Sequence, residues 1–424
     1  MNSNSILGSF GLDPEDYDET DVIESGEEGE TDIFLVERKR TALCASCGSP
    51  MHIHHRYVTS KSLHPHAMLK TSFLIERIVY RCAACSRCAT LPLKGMQTRR
   101  RSTAEEARLM REDLQSGMTF KEVARSHGVS VARAIQAFDE MFPAVARSRL
   151  PRIMCIDEIR FGGSADPYCC VIMDFESQMP VDIIKSRRKE WLDEYFSSMP
   201  SAELRNVRCI ISDMFDGYAR MARAWFPKAV HVVDRFHVVQ LARNAVNSVR
   251  TKVMKGLDQS SPEYRFMKSN WESFLVRRRL IPDRWYGRGA ESEGVHFDEM
   301  VMRCLRLDED FLISWGQYQD LLSVSWGDKG LDECLRTVDF IARDLGESRY
   351  QEVAKAGASF RKWRVEIARA MAKNDVGQKL TNGKMECLNN HLKTIIKKGY
   401  GYRNFERFRK RSLLLLRYEK EGAK

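Results

Sequence analysis

Short β-branched runs alternate with helical stretches between Arg152 and Asp234, and this pattern constrains the fold more than any other. Such alternation is typical of an α/β domain built on a central sheet. No Gly-rich phosphate loop follows any of these runs, which argues against a nucleotide-binding enzyme. The predicted strands are Ile153–Phe161, Tyr168–Asp174, Val181–Lys185, Val207–Ser212 and Ala229–Val233.

Two of these runs end in acidic residues. Asp157 and Glu158 end the apolar stretch that opens the first run, and Asp213 follows the run that ends at Ser212. An acidic side chain on a buried strand is costly unless it is paired, solvated or bound to metal. Two such acids on neighbouring strands would repel each other and attract a divalent cation, preferably Mg²⁺ or Mn²⁺.

A third acid, Glu386, opens a predicted helix and could complete a two-metal site. Two ions about 4 Å apart would activate water or a 3′-hydroxyl and stabilise the leaving oxygen. Each acid also has an ordinary structural interpretation. Asp157 could cap a strand, Asp213 could begin a helix, and Glu386 could pair with Lys393.

Two CxxC motifs predict a small metal-stapled module at residues 40–92, with Cys44, Cys47, Cys82 and Cys85 as ligands of one structural zinc ion. Zinc would fix this module, because it lacks the apolar residues for its own core. Nearby side chains that could replace one of these zinc ligands are Cys88, His52, His54 and His55. We expect the histidines to be solvated instead. Seven further cysteines are interpreted as small core residues, namely Cys155, Cys169, Cys170, Cys209, Cys304, Cys334 and Cys387.

Residues 103–141 predict three short helices in a helix-turn-helix arrangement. Thr119 and Ser130 are suited to cap the second and third helices, and Gly128 to adopt left-handed geometry between them. The third helix would then enter the major groove, with Arg133 and Gln136 as the side chains that contact bases. An ordinary three-helix packing unit is the alternative interpretation.

Charge is unevenly distributed along the 424 residues. Residues 1–32 hold eleven Asp and Glu and no Lys or Arg, which predicts a flexible, disordered acidic tail. Without these eleven charges the net charge of +10 becomes +21, so we expect a polyanionic partner such as DNA. The basic run Arg99-Arg100-Arg101 would contribute to DNA binding. No apolar run is long enough to span a bilayer, and no secretory signal is evident.

The segment after Glu386 is basic and interleaved with aromatic residues, a mixture that can pair with phosphates and stack on bases. We expect Phe405 and Phe408 to pack inward instead. The cations of this segment are Lys384, Lys393, Lys397, Lys398, Arg403, Arg407, Arg409, Lys410 and Arg411. Those predicted to contact DNA are Lys393, Lys397, Lys398 and Arg403.

Two long motifs resemble bacterial insertion-sequence transposases of the ISL-three group. One motif runs from Ile211 through Tyr218, Phe226–Ala229 and Val233–Val238, and the other from Thr381 through Glu386, Asn389, Asn390, Lys393 and Gly399–Phe408. The resemblance implies a multidomain α/β protein. Its RNase H-like catalytic core would comprise residues 151–239 and 376–424, with a mainly helical insertion at 240–375. By resemblance the catalytic acids are Asp157, Asp213 and Glu386, while Asp234 and His237 support the site or contact DNA.

The resemblance implies a DNA transposase that binds terminal inverted repeats and target DNA, and that cleaves and transfers strands with two Mg²⁺ or Mn²⁺ ions. Such an enzyme acts as a homodimer or higher homo-oligomer, in the bacterial cytoplasm on the nucleoid. One alternative is a domesticated, catalytically silent relative that regulates as a DNA-binding protein. Another is a resolvase-like or repair nuclease acting on branched DNA.

Overall fold

The computed structural model describes residues 7–8, 10–24, 30–62, 70–96, 104–162, 167–287, 294–374, 380–399 and 402–421. The chain divides into two compact units, and each contains both α-helices and β-strands. One unit comprises Met1–Ala146 with Ile395–Lys424, and the other comprises Arg147–Thr394. No described helix has both the length and the apolar character needed to cross a membrane.

The first unit begins with a six-stranded sheet of order β1-β2-β5-β4-β3, in which β6 pairs with β5. β2 and β5 are parallel, and the other pairs are antiparallel. The strands are β1 (Tyr17–Glu24), β2 (Glu30–Glu37), β3 (Ala42–Leu43), β4 (Pro50–Ser62), β5 (Lys70–Cys82) and β6 (Cys88–Thr90).

The acidic N-terminal segment contains a strand where the sequence predicted a disordered tail. β1 pairs with β2 from Tyr17 to Glu24, so the sheet extends beyond the predicted 40–92 module. Acids of this segment find cations that are distant in sequence. The carboxylate of Asp16 is buried and lies 2.9 Å from Arg40 Nη1, while Asp13 Oδ2 lies 2.7 Å from Lys94 Nζ. Composition alone could not show these partners.

The same sheet has a hydrophobic core of its own, contrary to the prediction that zinc alone would fix this module. The described residues of the core come from the N-terminal segment and from β2, β5 and the chain after β6. They are Leu7, Leu12, Tyr17, Ile33, Leu35, Phe73, Ile75 and Leu93.

Three helices follow, α1 (Ala104–Gln115), α2 (Phe120–Ser126) and α3 (Val131–Met141). The predicted caps are confirmed, because Thr119 forms a capping box with Glu122 and Ser130 accepts from the Arg133 N–H. Gly128 has a φ of +60°, the left-handed conformation predicted for the turn. The helices pack around Leu114, Val123, Ala134 and Phe138, with their neighbours.

The second unit contains a five-stranded sheet of order β11-β10-β7-β8-β9. β7, β8 and β9 are antiparallel neighbours, and β10 and β11 run parallel to β7. All five predicted strands occur, with ends that differ by at most two residues. They are β7 (Ile153–Arg160), β8 (Tyr168–Asp174), β9 (Pro180–Ile184), β10 (Cys209–Ser212) and β11 (Val230–Val233).

Helices make up most of the rest of this unit, and the region predicted to be helical is mainly so. It also contains a two-residue pairing of β12 (Trp285–Tyr286) with β13 (Val295–His296). The helices are α4 (Lys189–Ser197), α5 (Ser201–Asn206), α6 (Asp216–Trp225), α7 (Arg235–Lys255), α8 (Pro262–Ser269), α9 (Phe297–Leu305), α10 (Glu309–Ser323), α11 (Leu331–Gly346), α12 (Gln351–Lys362), α13 (Arg364–Met371) and α14 (Gly383–Lys398).

The last helix, α15 (Phe405–Glu421), belongs to the first unit, although the sequence assigned residues 376–424 to the catalytic domain. Arg407 Nη2 lies 2.8 Å from Asp139 Oδ2, and the Arg411 guanidinium lies 4.5 Å from the centre of the Phe120 ring. Phe405 and Phe408 are buried, as predicted. The cations of α15 therefore stabilise helix packing rather than forming a free basic face.

Candidate functional site

Three aspartates, Asp157, Asp213 and Asp234, lie at the same edge of the second sheet. Cys155 of β7 pairs with Ile211 of β10, so Asp157 and Asp213 each lie two residues beyond a matched position. Ser212 pairs with Val233 of β11, and Asp234 follows directly. Since the three strands are parallel, the register brings these carboxylates to one end of the sheet.

Asp213 is the acid in the least compensated environment. Its Oδ1 atom is buried and has no hydrogen-bond partner among the described residues. Burial raises the pKa of Asp213 to about 7, and the charges of Glu158 and Asp157 add to this rise. An acid held this way gains most from a nearby cation, which makes Asp213 a suitable metal ligand.

Asp157 is held by two hydrogen-bond donors. The side-chain amide of Asn389 on α14 donates to Asp157 Oδ2 at 2.8 Å, and the Glu158 N–H donates to Asp157 Oδ1 at 2.8 Å. Burial raises the pKa of Asp157 nevertheless. Asn389 thus fixes the orientation of this carboxylate.

Glu158 is engaged by different partners. It forms an ion pair with Arg187, and the Tyr218 hydroxyl donates to its Oε2 atom at 3.3 Å. The Arg187 guanidinium is stacked 4.6 Å from the Tyr168 ring centre and 4.5 Å from that of Phe215. Glu158 therefore already has a positive partner, whereas Asp157 forms no ion pair with a described residue.

Asp234 connects the end of β11 to the start of α14. Its Oδ1 atom accepts from the Asn382 backbone N–H at 2.8 Å, and the Asn382 side chain donates to the Ile156 carbonyl at 3.2 Å. His237 Nδ1 lies 3.3 Å from Asp234 Oδ2, and this interaction raises the pKa of His237. Asp234 and Asn382 are both buried, so the connection is shielded from water.

Glu386 is exposed on α14, one turn before Asn389. In the described parts of the chain, the sole group of three or more potential metal-binding side chains with ligand atoms within 4.8 Å is a cysteine cluster. The structure therefore brings Asp157 and Asp213 to one sheet edge but does not bring Glu386 into such a group with them.

The four predicted zinc ligands do lie together. The sulfur atoms of Cys44 and Cys85 are 3.6 Å apart, those of Cys47 and Cys82 are 3.5 Å apart, and those of Cys47 and Cys85 are 3.7 Å apart. A tetrahedral zinc with Zn–S bonds of about 2.3 Å places its sulfurs about 3.8 Å apart. The donor set and its spacing therefore fit zinc.

The surroundings of the cluster support this fit. A backbone hydrogen bond from Ser49 lowers the pKa of Cys47 to about 6, which favours the thiolate that zinc requires. Despite a backbone hydrogen bond from Arg87, the neighbouring Cys82 and Cys44 sulfurs raise the pKa of Cys85 to about 11, so thiolate character is greatest at Cys47. Cys88 lies outside the cluster. The other potential substitutes are exposed, as expected for solvated histidines, and these are His52, His54 and His55.

The cysteines elsewhere are buried, as predicted, with one exception. Cys387 on α14 is exposed, so its interpretation as a core residue is wrong. It directly follows Glu386, which is exposed as well.

The predicted DNA-contacting residues have different settings. Arg133 Nη1 lies 3.4 Å from Glu140 Oε1, and the Gln136 amide donates to the same oxygen at 2.9 Å. Both can exchange this partner for a ligand, because Gln136 is exposed and Arg133 half-buried. The cations on α14 and after it are exposed, namely Lys393, Lys397, Lys398 and Arg403. The run Arg99, Arg100 and Arg101 lies outside the described residues.

Sequence reasoning assigned no role to Asn389, Asn382, Arg187 or Tyr218. One signal could have identified Asn389, because it lies one helical turn after Glu386 and so on the same face. No local pattern marks Arg187, which follows β9 and whose partner Glu158 is on β7.

Comparison with known proteins gives two matches. Residues 154–412 match the model of a transposase family, the ISL3 group of DDE transposases. The transposase for insertion sequence element IS1001 of Bordetella parapertussis is 25% identical over 262 residues, which is 57% of this chain. The match covers 55% of the relative, so the chain spans about half of its length.

Proposed function

The chain belongs to the ISL3 (ISL-three) group of DDE transposases, and from this premise we propose that it cleaves DNA at terminal inverted repeats and transfers the strands to target DNA. Asp157, Asp213 and Glu386 are the proposed catalytic residues and metal ligands. The observation that carries the proposal is the buried Oδ1 atom of Asp213, which has no hydrogen-bond partner among the described residues and directly follows β10, the strand beside that of Asp157.

The proposed cofactors are two Mg²⁺ or Mn²⁺ ions. Carboxylates at a sheet edge are the ligands these ions prefer. Burial raises the pKa of Asp213 to about 7 although the charges of His237 and Arg187 act to lower it, so a bound cation would stabilise the charged carboxylate. Divalent ions in such a site supply activation of water or a 3′-hydroxyl and stabilisation of the leaving oxygen.

Glu386 is proposed as the third ligand on the basis of the helix that carries it. Asn389, on the same face of α14, donates to Asp157, so this face is directed at the sheet edge. In the parts of the chain that the structure describes, the Glu386 carboxylate forms no ion pair such as that of Glu158 with Arg187, and it is exposed to solvent.

Asp234 and His237 are proposed to support the site rather than to bind metal. Asp234 accepts from the Asn382 N–H at the start of α14, which fixes where the helix leaves the sheet edge. The position of Glu386 depends on that start. His237 contributes a positive charge that lowers the pKa of Asp213.

The strand order and directions of the second sheet support an RNase H-like core, in which three antiparallel strands are followed by two parallel ones.

The caps and the turn at Gly128 support a helix-turn-helix formed by α1–α3, with Arg133 and Gln136 contacting bases. We propose that this unit, with its Cys₄ zinc module, binds the terminal repeats. Two element ends must meet, so a homodimer or higher oligomer on DNA is part of the proposal.

The test is strand cleavage by the full-length protein. The substrate is a labelled duplex that carries the inverted repeat found beside the gene, with Mg²⁺ or Mn²⁺. Wild-type protein should nick this duplex, and Asp213→Asn should bind it equally but lower the cleavage rate by a factor of at least about 10³. Asp216→Asn, which alters an exposed ion pair with Lys362, is the matched control. Cleavage by Asp213→Asn at the wild-type rate would show that the proposed catalytic site is wrong.

A further inference from the structure

A basic cavity lies at the edge of the second sheet opposite the aspartates. Ile153, Cys209 and Val230 line it, and these residues are paired with one another at the amino-terminal ends of β7, β10 and β11. Its volume is about 760 Å³, which is within the range of ligand-binding clefts. The acids lie at the other ends of the same strands, four residues along β7, or about 13 Å.

The cavity is positively charged. Its described lining contains five cations and no Asp, Glu or His, and the cations are Arg152, Arg208, Lys228, Arg369 and Lys373. None of the five forms a salt bridge with a carboxylate in the parts of the chain that the structure describes. Five like charges around one cavity repel each other unless an anion joins them.

The positive field extends to a neighbouring group. His231 of β11 is buried, and its pKa is lowered to about 4 by burial and also by the charges of Arg223 and Arg369. The cations are mostly exposed, so their charge is available to a ligand.

The lining indicates which anion fits. Among the described residues it contains no aromatic side chain on which a base could stack and no carboxylate that could accept from ribose hydroxyls. Cations on four separate chain segments suit consecutive phosphates of a backbone better than a single small anion.

We propose that this cavity binds the phosphate backbone of a DNA segment, separate from the segment that reacts at the aspartates. The choice of DNA rests on the proposed function. The cavity and the acids are at opposite ends of the strands, so we assign them to separate segments of the DNA. The site is a second point of attachment that recognises phosphates without reading sequence.

The experiment compares wild-type protein with the double variant Arg208→Ser, Lys228→Ser, using anisotropy of a labelled duplex of mixed sequence between 50 and 200 mM salt. Two lost phosphate contacts should reduce the slope of log affinity against log salt by about 1.8. Wild-type affinity should therefore fall about tenfold more than that of the variant over this range. The control variant Arg336→Ser, Lys355→Ser removes two exposed cations outside the cavity and should keep the wild-type slope.

Removal of two repelling charges should leave the melting temperature unchanged or raise it, which separates lost binding from lost folding. An unchanged salt slope in the cavity variant would overturn the proposal. A second pair of results would also overturn it. If millimolar pyrophosphate raises the melting temperature of wild-type protein but not of the variant, and both bind DNA equally, the cavity holds a small anion rather than DNA. If wild-type protein binds no DNA at all, the proposed function itself fails, and this outcome is distinct from the other two.

Discussion

Asn389 donates a hydrogen bond from its side-chain amide to Asp157, across 2.8 Å and between a helix and a strand that are more than 200 positions apart in the chain. This bond joins the two halves of the proposed catalytic site. Asp157 needs a hydrogen-bond donor because it is largely buried. The orientation of α14 towards the sheet must also be fixed, because this helix carries Glu386. Asn389 serves both requirements.

Asn389→Ala should therefore lower the cleavage rate by about 10- to 100-fold, the usual effect of removing a group that orients a metal ligand. The apparent Mg²⁺ requirement should rise at the same time, while DNA binding stays unchanged. Asn390→Ala alters the exposed neighbour and is the control. Equal rates for Asn389→Ala and wild-type protein would show that this hydrogen bond does not position Asp157.

Asp234→Ala should destabilise the second unit. It leaves the buried Asn382 N–H without its acceptor, which costs about 1–3 kcal/mol. Urea unfolding measures this change. Asp216→Ala removes one exposed ion pair with Lys362 and should cost at most about 1 kcal/mol. A loss for Asp234→Ala no larger than that of the control would contradict its role in fixing the start of α14.

Stability should depend on pH through Asp213. Its pKa is about 7 in the folded protein and near 3.8 when unfolded, so the folded state holds the extra proton between these values. Stability from this group is therefore present at low pH and is lost as pH rises towards 7. In Mg²⁺-free buffer, the advantage of Asp213→Asn over wild-type protein should grow from pH 4 to pH 7. A difference that shrinks over this range would contradict the buried, unpartnered state of Asp213.

Zinc content tests the cysteine cluster. The purified protein should contain about one zinc per chain, and Cys47→Ser should lose it together with part of the thermal stability of the first unit. Cys88→Ser should retain the metal, because Cys88 is outside the cluster. Elemental analysis of both variants gives the answer, and zinc retained by Cys47→Ser would exclude that ligand.

The parts of this structure that the sequence predicted are those governed by local patterns. β-branched runs marked all five strands of the second sheet, and Thr119, Gly128 and Ser130 marked the helix ends and turn. The spacing of the CxxC motifs marked the sulfur cluster. In each case the residues that specify the feature are neighbours in sequence or repeat with the period of the element.

The parts that it missed depend on partners distant in sequence. The acidic segment was predicted to be disordered because its charges had no visible counterparts, but Arg40 and Lys94 supply them. Arg407 of the basic C-terminal helix was counted among the cations able to pair with phosphates, but its partner is Asp139.

The central claim is that Asp157, Asp213 and Glu386 hold the ions that support strand cleavage, and cysteine replacement tests it most directly. Each acid is replaced in turn by Cys, and single-turnover cleavage of the terminal-repeat duplex is measured with Mg²⁺ and with Mn²⁺. A thiolate is a poor ligand for Mg²⁺ and a better one for Mn²⁺. All three variants should be inactive with Mg²⁺ and partly active with Mn²⁺, whereas Asp216→Cys should match wild-type protein with both ions. Full activity of any of the three variants with Mg²⁺ would contradict the claim for that residue.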